Sequence, residues 1–356
     1  ICYDRFSVVM PQIIIVSNRL PVSVTKVDGK LSFSRSVGGL TGISSYAEDK
    51  KRTWIGWPGI ASENLTDDEK QEIVKELAKH KCRPVWLSQR QVDDFYTGYS
   101  NDVLWPAFHS LKRPGKQSPN HKRWWQSYKG VNQKYSEAIL NISENNSKIW
   151  IHDYQLMLLP ELVRSGRTDV SIGFFLHIPF PLVKNFSRIP EHKKLLQGML
   201  GADVIGFHTP DYVTNFLDMT QADGLGEVDN NQMVYQNRVV QISDFPMGID
   251  YEKYSSANQS EAVKEAIKLF ANRYKGLKVI LAVDRLDPSK GLVERLEAYR
   301  VFLEKYPKMR NKVVFSMVAA PSRTDVPAYQ RLSKKLKLTV EDINQQWGTA
   351  GWQPID

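Results

Sequence analysis

The sequence predicts an α/β fold built on parallel, doubly wound sheets, and three observations carry that prediction. Short apolar runs rich in β-branched and aromatic residues alternate with helical stretches along the chain. Several runs are continuously apolar, such as Ile172-Gly173-Phe174-Phe175-Leu176, as strands covered on both faces require. At 356 residues, 42% apolar and 24% charged, the chain can bury the cores of about two domains.

Taken in order, the expected strands are Ile13–Ser17, Thr53–Gly56, Arg83–Leu87, Lys148–His152, Ile172–His177, Val204–His208, Val239–Phe245, Val279–Val283 and Val313–Val318. Between Pro21 and Arg35 two alternating runs flank Asp28-Gly29, a favourable hairpin turn inserted beside the first strand. The clearest helix spans Trp124 to Ile142, because Trp124, Tyr128, Val131, Tyr135, Ile139 and Ile142 recur at spacings of three and four. Such an aromatic stripe reads as core. A second amphipathic helix carries Leu292, Leu296, Tyr299 and Leu303 and stops before Pro307. Pro246 and Gly248 interrupt a strand, which puts a domain boundary near Met247–Asp250. Beyond it only two strand–helix units follow, so that sheet is expected to be incomplete and to end in an unpaired edge. Met10 supplies a natural start, and residues 1–10 are set aside as an upstream extension.

Composition narrows the chemistry. Two cysteines, Cys2 and Cys82, exclude a disulfide framework and a cysteine metal site, which fits a reducing cytoplasm. No apolar run reaches the roughly 20 residues of a membrane span. The net charge of +9 admits nucleic acid, an anionic membrane or anionic small substrates. The basic residues are spread along the chain, and the clusters at Lys112–Lys122 and Lys334–Lys337 read as solvated surface. No recognisable nucleic-acid module accompanies them.

Four stations suit phosphate. Arg19 ends the first strand, where ligands of open α/β sheets bind. Gly38 and Gly39 precede a helical segment and would let backbone N–H groups approach an anion. Arg285 and Lys290 are expected in the loop and first turn after a buried strand, where a cation opposes the helix dipole unless an anion shares the site. Arg323 follows the next strand in the same position. Two further segments suit sugars. Tyr96 and the run Ser100–His109, with Trp105, combine aromatic faces with polar groups, although core packing explains Trp105 equally well. Asp153 and His177 end successive strands and so could share a cleft. The metalloprotease helix, the hydrolase nucleophile elbow and the GxGxxG dinucleotide fingerprint are all missing.

Together these segments resemble the trehalose-6-phosphate synthase family. Ser17-Asn18-Arg19-Leu20-Pro21, Gly38-Gly39-Leu40, Trp54 through Gly59, Ser100 through His109, Trp150 through Tyr154 and Gly173 through Pro181 appear in family order. So do Leu200 through Asp203, Gly206 through Thr209, Pro246 through Asp250, Arg285 through Leu292 and Ala320 through Asp325. The resemblance implies a GT-B fold: two facing Rossmann-like doubly wound domains, with residues 11–247 binding the acceptor and 248–356 forming part of the nucleotide-sugar domain. It implies transfer of glucose from UDP-glucose to glucose 6-phosphate with retention, giving trehalose 6-phosphate in the cytoplasm without metal or other cofactor. It assigns Arg19, Tyr96, Trp105, Asp153 and Arg323 to the acceptor. Gly38, Gly39, His177, Arg285 and Lys290 go to the donor, with Arg285, Lys290, Asp153 and His177 central to catalysis. The resemblance implies small-molecule partners only, no nucleic acid or membrane, and admits a homo-oligomer.

Pro288 stands where the family commonly has tyrosine, and Leu182-Val183-Lys184-Asn185 departs from its small and acidic residues. Family members also continue past position 356 into a segment that holds donor sugar and ribose, so little turnover is expected of this chain alone. The rival readings are a pseudo-glycosyltransferase of the same fold, a non-catalytic regulatory homologue and a nicotinamide-dependent oxidoreductase.

Overall fold

The structure, a computed structural model, describes residues 11–36, 52–111, 118–322 and 326–356, so Gly38, Gly39 and Arg323 lie outside the described residues. The chain divides between Met247 and Gly248 into two compact units.

Unit 1 is built on strands β1 (Ile13–Arg19), β4 (Arg52–Trp57), β5 (Cys82–Pro84), β6 (Lys148–His152), β7 (Ser171–Phe175), β8 (Val204–Phe207), β9 (Glu227–Asp229), β10 (Gln232–Tyr235) and β11 (Arg238–Asp244). They form one sheet in the order β5-β4-β1-β6-β7-β8-β11-β10-β9. From β5 to β11 every pairing is parallel, and β10 and β9 extend the sheet as antiparallel strands. Strands β2 (Val22–Val27) and β3 (Lys30–Arg35) make the separate hairpin, with Asp28 and Gly29 at φ +49° and +75°. Two consecutive positive φ values define the type I′ turn that the Asp-Gly pair predicts.

The central parallel strands β1, β6 and β7 are mainly apolar because both faces are covered. Ile14 and Val16 enter one core cluster with Tyr128, Val131, Tyr135 and Ile139 of helix α2 (His121–Leu140). Ile15 and Trp54 point the other way, into a cluster with Ile73 and Leu77 of helix α1 (Asp67–Lys79). Helices α3 (Leu159–Gly166), α4 (His192–Met199) and α5 (Pro210–Ala222) add Val163, Leu196 and Phe216 to the first cluster.

Unit 2 contains helix α6 (Glu261–Arg273), strand β12 (Lys278–Arg285), helix α7 (Leu292–Lys305), strand β13 (Val313–Ala320) and helix α8 (Pro327–Trp347). The two strands pair in parallel, from Lys278 opposite Val313 to Arg285 opposite Ala320. Leu292, Leu296, Tyr299 and Leu303 of α7 pack with Phe315, Leu336 and Ile343.

Several expectations need correction. The third strand ends at Pro84 rather than Leu87, although Val85 N–H still bonds the Gly56 carbonyl. β5 is the sheet edge, where a proline without a donor is tolerated. The long helix starts at His121 and ends at Leu140, and Trp125 rather than Trp124 is its more buried tryptophan. The hairpin β9–β10 was not foreseen. In unit 2 the outer edge of β13 is paired over part of its length. Phe315 and Met317 donate to the Pro354 and Asp356 carbonyls, and Asp356 donates back to Phe315.

Candidate active site

Arg19, Asp153 and His177 lie at the carboxyl edge of the sheet, at or just beyond the ends of the neighbouring strands β1, β6 and β7. The end of β1 is tightly held. Trp54 Nε1 donates to Ser17 Oγ at 2.7 Å, and Ser17 Oγ donates to the Arg19 carbonyl at 2.6 Å. Tyr135, from the middle of α2, donates to the Asn18 carbonyl at 2.7 Å and accepts from Trp57 N–H at 3.1 Å. Gly56 makes this closeness feasible, since a Cβ there would come within 2.9 Å of Ser17 O and Leu20 N. The Arg19 side chain is exposed, and its guanidinium rides 4.7 Å above the centre of the Trp57 ring in a cation–π contact.

Asp153 follows β6 at φ +76° and ψ 169°. That region is close to glycine-only and costs about 1–3 kcal/mol. The strain persists because the surroundings over-determine it. Asp153 N–H donates to the Phe175 carbonyl at 2.8 Å, while its Oδ1 accepts His177 N–H at 3.2 Å. Tyr128 donates to the next carbonyl, of Tyr154, and accepts Met157 N–H. Asp153 and His177, expected to share a cleft, are thus brought into direct contact.

His177 stands in a row of imidazoles. Its Nε2 is 2.9 Å from Nδ1 of His152, and its ring centre is 5.5 Å from that of His208. Burial, with the neighbouring His208 adding to it, pushes His177 down to about 3. Burial and then His177 hold His152 well below its ordinary value. Burial lowers His208 too, partly offset by a hydrogen bond to the His177 backbone. All three are therefore neutral near pH 7.

Tyr96 and Trp105 come from an unusual segment. Residues Val92–Leu104 form a wide helix with i→i+5 hydrogen bonding, continued by Trp105 N–H on the Ser100 carbonyl. Helices of this type are rare and concentrate at functional sites. Gly98 lets the segment press on Trp124, since a Cβ would sit 2.6 Å from that ring. Asn101 ties the segment to the Asp153 loop, donating to the Tyr96 carbonyl at 2.8 Å and accepting from Tyr154 Oη at 2.9 Å. Trp105 is only 6% exposed and lies 5.7 Å from the Tyr154 ring, so most of its surface is core.

In unit 2, Arg285 is the last residue of β12 rather than a loop residue, and Lys290 ends a short 3₁₀ turn before α7. Between them lies Asp287, fully buried. It accepts Ser289 N–H and Oγ–H and the Tyr329 hydroxyl, and it sits 4.0 Å from Arg285 Nη2. Lys290 N–H donates to the Asp287 carbonyl, and Gly291 takes the left-handed conformation at φ +59° that lets α7 begin. Arg295 Nη2 bonds Asp284 and the Lys290 carbonyl, both at 2.6 Å. Both candidate cations are exposed, Arg285 at the end of β12 and Lys290 at the end of the turn that follows.

His152, His208, Asp287 and Arg295 had no role in the residue-level reading. A third strand-end histidine was visible in the sequence, but the contact between rings depends on strand order. A cavity of about 710 Å³ lies at the opposite, amino edge of the sheet, lined by Gln12, Arg52, Cys82 and Arg83. None of the candidate residues lines it.

Residues 11–356 match the model of glycosyltransferase family 20. Over 347 residues the chain is 40% identical to alpha,alpha-trehalose-phosphate synthase (UDP-forming) A of Dictyostelium discoideum, covering 97% of this chain and 46% of that protein. It therefore spans less than half of that relative. Among solved structures it resembles the UDP-forming synthase from Burkholderia xenovorans in complex with glucose-6-phosphate, with a TM-score of 0.79 and 27% identity over 97% of this chain and 73% of that one. It also resembles an E. coli trehalose-6-phosphate structure bound with UDP-2-fluoro glucose, at a TM-score of 0.81 and 28% identity over 97% and 72% of the two chains.

Proposed function

The chain belongs to glycosyltransferase family 20, and on that premise we propose that it serves transfer of glucose from UDP-glucose to glucose 6-phosphate, with retention at the anomeric carbon. The observation that carries the reading is Asp153, held in a strained conformation with its carboxylate on His177 N–H at the carboxyl edge of the sheet. Strain maintained by so many bonds marks a site where geometry matters more than stability.

In this reading Arg19 meets the acceptor's phosphate, Tyr96 and Trp105 flank its ring, and Asp153 accepts its hydroxyls. Arg323 joins them, and Gly38 and Gly39 offer backbone N–H to the donor phosphates. His177 contacts the donor glucose. Arg285 and Lys290 face the diphosphate. As the bond from the anomeric carbon to the diphosphate oxygen breaks, negative charge grows on that oxygen. Fixed cations then stabilise the transition state more than the ground state. The acceptor hydroxyl forms its bond on the face the diphosphate leaves, and its proton passes to the departing phosphate oxygen. Configuration is retained, and no carboxylate need become covalently attached. Two side-chain cations neutralise the leaving group, so the reading requires no metal. It places the protein in the cytoplasm, with support from Cys82, a buried free thiol.

Acceptor-dependent release of UDP from UDP-glucose, with product analysis by NMR, tests the proposal. Release that requires glucose 6-phosphate and yields an α,α-linked product supports it. Release indifferent to glucose 6-phosphate, or a β-linked product, contradicts it.

A further inference from the structure

Sheet order places His152, His177 and His208 side by side, because β6, β7 and β8 are consecutive neighbours. The ring centres of His152 and His177 are 5.2 Å apart. Two imidazole nitrogens at 2.9 Å, as His152 Nδ1 and His177 Nε2 are, need one proton between them. In a neutral ring only one nitrogen carries hydrogen, so the direction of this bond sets the tautomers of both rings. If His177 donated, the His152 proton would have to sit on Nε2. That atom is buried and has no hydrogen-bond partner among the described residues, in a side chain with no exposed surface. An orphaned buried N–H is among the rarest features of folded proteins. If His152 donates instead, its Nε2 is a bare lone pair and the His177 proton must reside on Nδ1.

We propose that His152 is a positioning residue that donates its Nδ1–H to His177 Nε2. His177 is thereby locked as an uncharged ring whose remaining nitrogen, Nδ1–H, serves a hydroxyl oxygen of the donor sugar. The purpose of the lock rests on the sugar-transfer reading above; the lock itself does not. The surroundings agree with it. Asp153 Oδ1 is engaged by the backbone N–H of His177. His208 adds a third neutral ring beside it, with the two ring centres 5.5 Å apart. Nothing here calls on His177 as an acid or base. Its contribution is a donor of fixed direction, prepared before substrate arrives, which is how a preorganised site avoids reorganisation during the reaction.

The test is the histidine tautomer in the substrate-free full chain, read from long-range ¹H–¹⁵N correlations among its seven histidines. Wild type should show His177 as Nδ1–H. In His152→Leu, which removes the donor, His177 should become a mixture of tautomers, and kcat/KM for UDP-glucose should fall about 3- to 10-fold, the scale of one neutral hydrogen bond. His152→Asn places an amide N–H near the Nδ1 position, so it should restore the Nδ1–H form and recover kcat/KM relative to His152→Leu. A native His177 protonated on Nε2 overturns the proposal, as does a tautomer ratio unchanged in His152→Leu. If His152→Leu does not fold, the wild-type and His152→Asn spectra still decide. A lock that vanishes in His152→Leu, in a protein that never uses UDP-glucose, would uphold the tautomer and remove the sugar-transfer reading.

Discussion

Asp153 sets an energetic conflict at a single residue. Its backbone conformation favours glycine, yet its carboxylate holds His177 N–H. Replacing it by alanine loses the carboxylate and keeps the strain, whereas glycine loses both. Asp153→Gly should therefore be more stable than Asp153→Ala by about 1 kcal/mol, relief of strain outweighing the greater freedom of unfolded glycine. Urea denaturation of the two variants checks this, and an alanine variant of equal or greater stability would show that Asp153 is unstrained. The histidine row carries a pH signature. Burial keeps His177 neutral down to about 3 and His152 well below its usual range, while the unfolded rings gain protons below about 6.5. The unfolded chain thus binds more protons as pH falls. Stability should be fully present above about pH 6.5 and decline by about 1.4 kcal/mol per pH unit for each ring below it. Denaturation midpoints unchanged between pH 7.5 and 5 would contradict the buried, neutral assignment. Both strand-end residues were legible from sequence, since Asp153 and His177 close apolar runs. Their mutual contact was not, because it depends on β6 and β7 being neighbours.

Secondary-structure elements act here as clamps on the site. Helix α2 was readable as core from its apolar stripe, and Tyr128, Val131, Tyr135 and Ile139 are all buried. Nothing in that spacing revealed that the Tyr135 hydroxyl bridges the ends of β1 and β4. Tyr135→Phe should destabilise unit 1 by about 1–3 kcal/mol, because the Asn18 carbonyl and Trp57 N–H lose a buried partner. It should also raise the KM for glucose 6-phosphate by loosening Arg19. A stability loss with unchanged KM would detach α2 from the site. The hairpins show where local chemistry suffices. Asp28-Gly29 announces its turn, whereas Gln236-Asn237 adopts the same pair of positive φ values, +49° and +59°, with weaker turn-forming residues. The hairpin β2–β3 was accordingly legible, and the second turn, which joins β10 to β11, was not. The wide helix Val92–Leu104 lies beyond any period-based reading, since its hydrogen bonds skip one residue more than the pattern assumes.

Across the molecule, Arg19, Tyr96, Trp105 and Asp153 of the proposed acceptor set fall in unit 1, while Arg285 and Lys290 fall in unit 2. Arg19→Ala should lower kcat/KM for glucose 6-phosphate about 10- to 150-fold, the worth of one charge-assisted bond; steady-state kinetics with varied acceptor measure it, and no change would remove Arg19 from the site. Excess chelator should leave the rate intact, because Arg285 and Lys290 meet the leaving charge, and a fall restored by a divalent ion would contradict that division of labour. Arg285 and Lys290 themselves were legible, but the scaffold between them was not. Asp287 is buried through a tertiary bond to Tyr329, 42 positions away in sequence. If Arg285 and Lys290 act on the departing diphosphate, turnover with both substrates saturating must depend on them. Lys290→Ala and Arg285→Ala should each lower kcat about 100-fold, as loss of a preorganised group at a developing anion does. An unchanged kcat with only a raised KM for UDP-glucose would contradict this, because the two cations would then merely bind the donor.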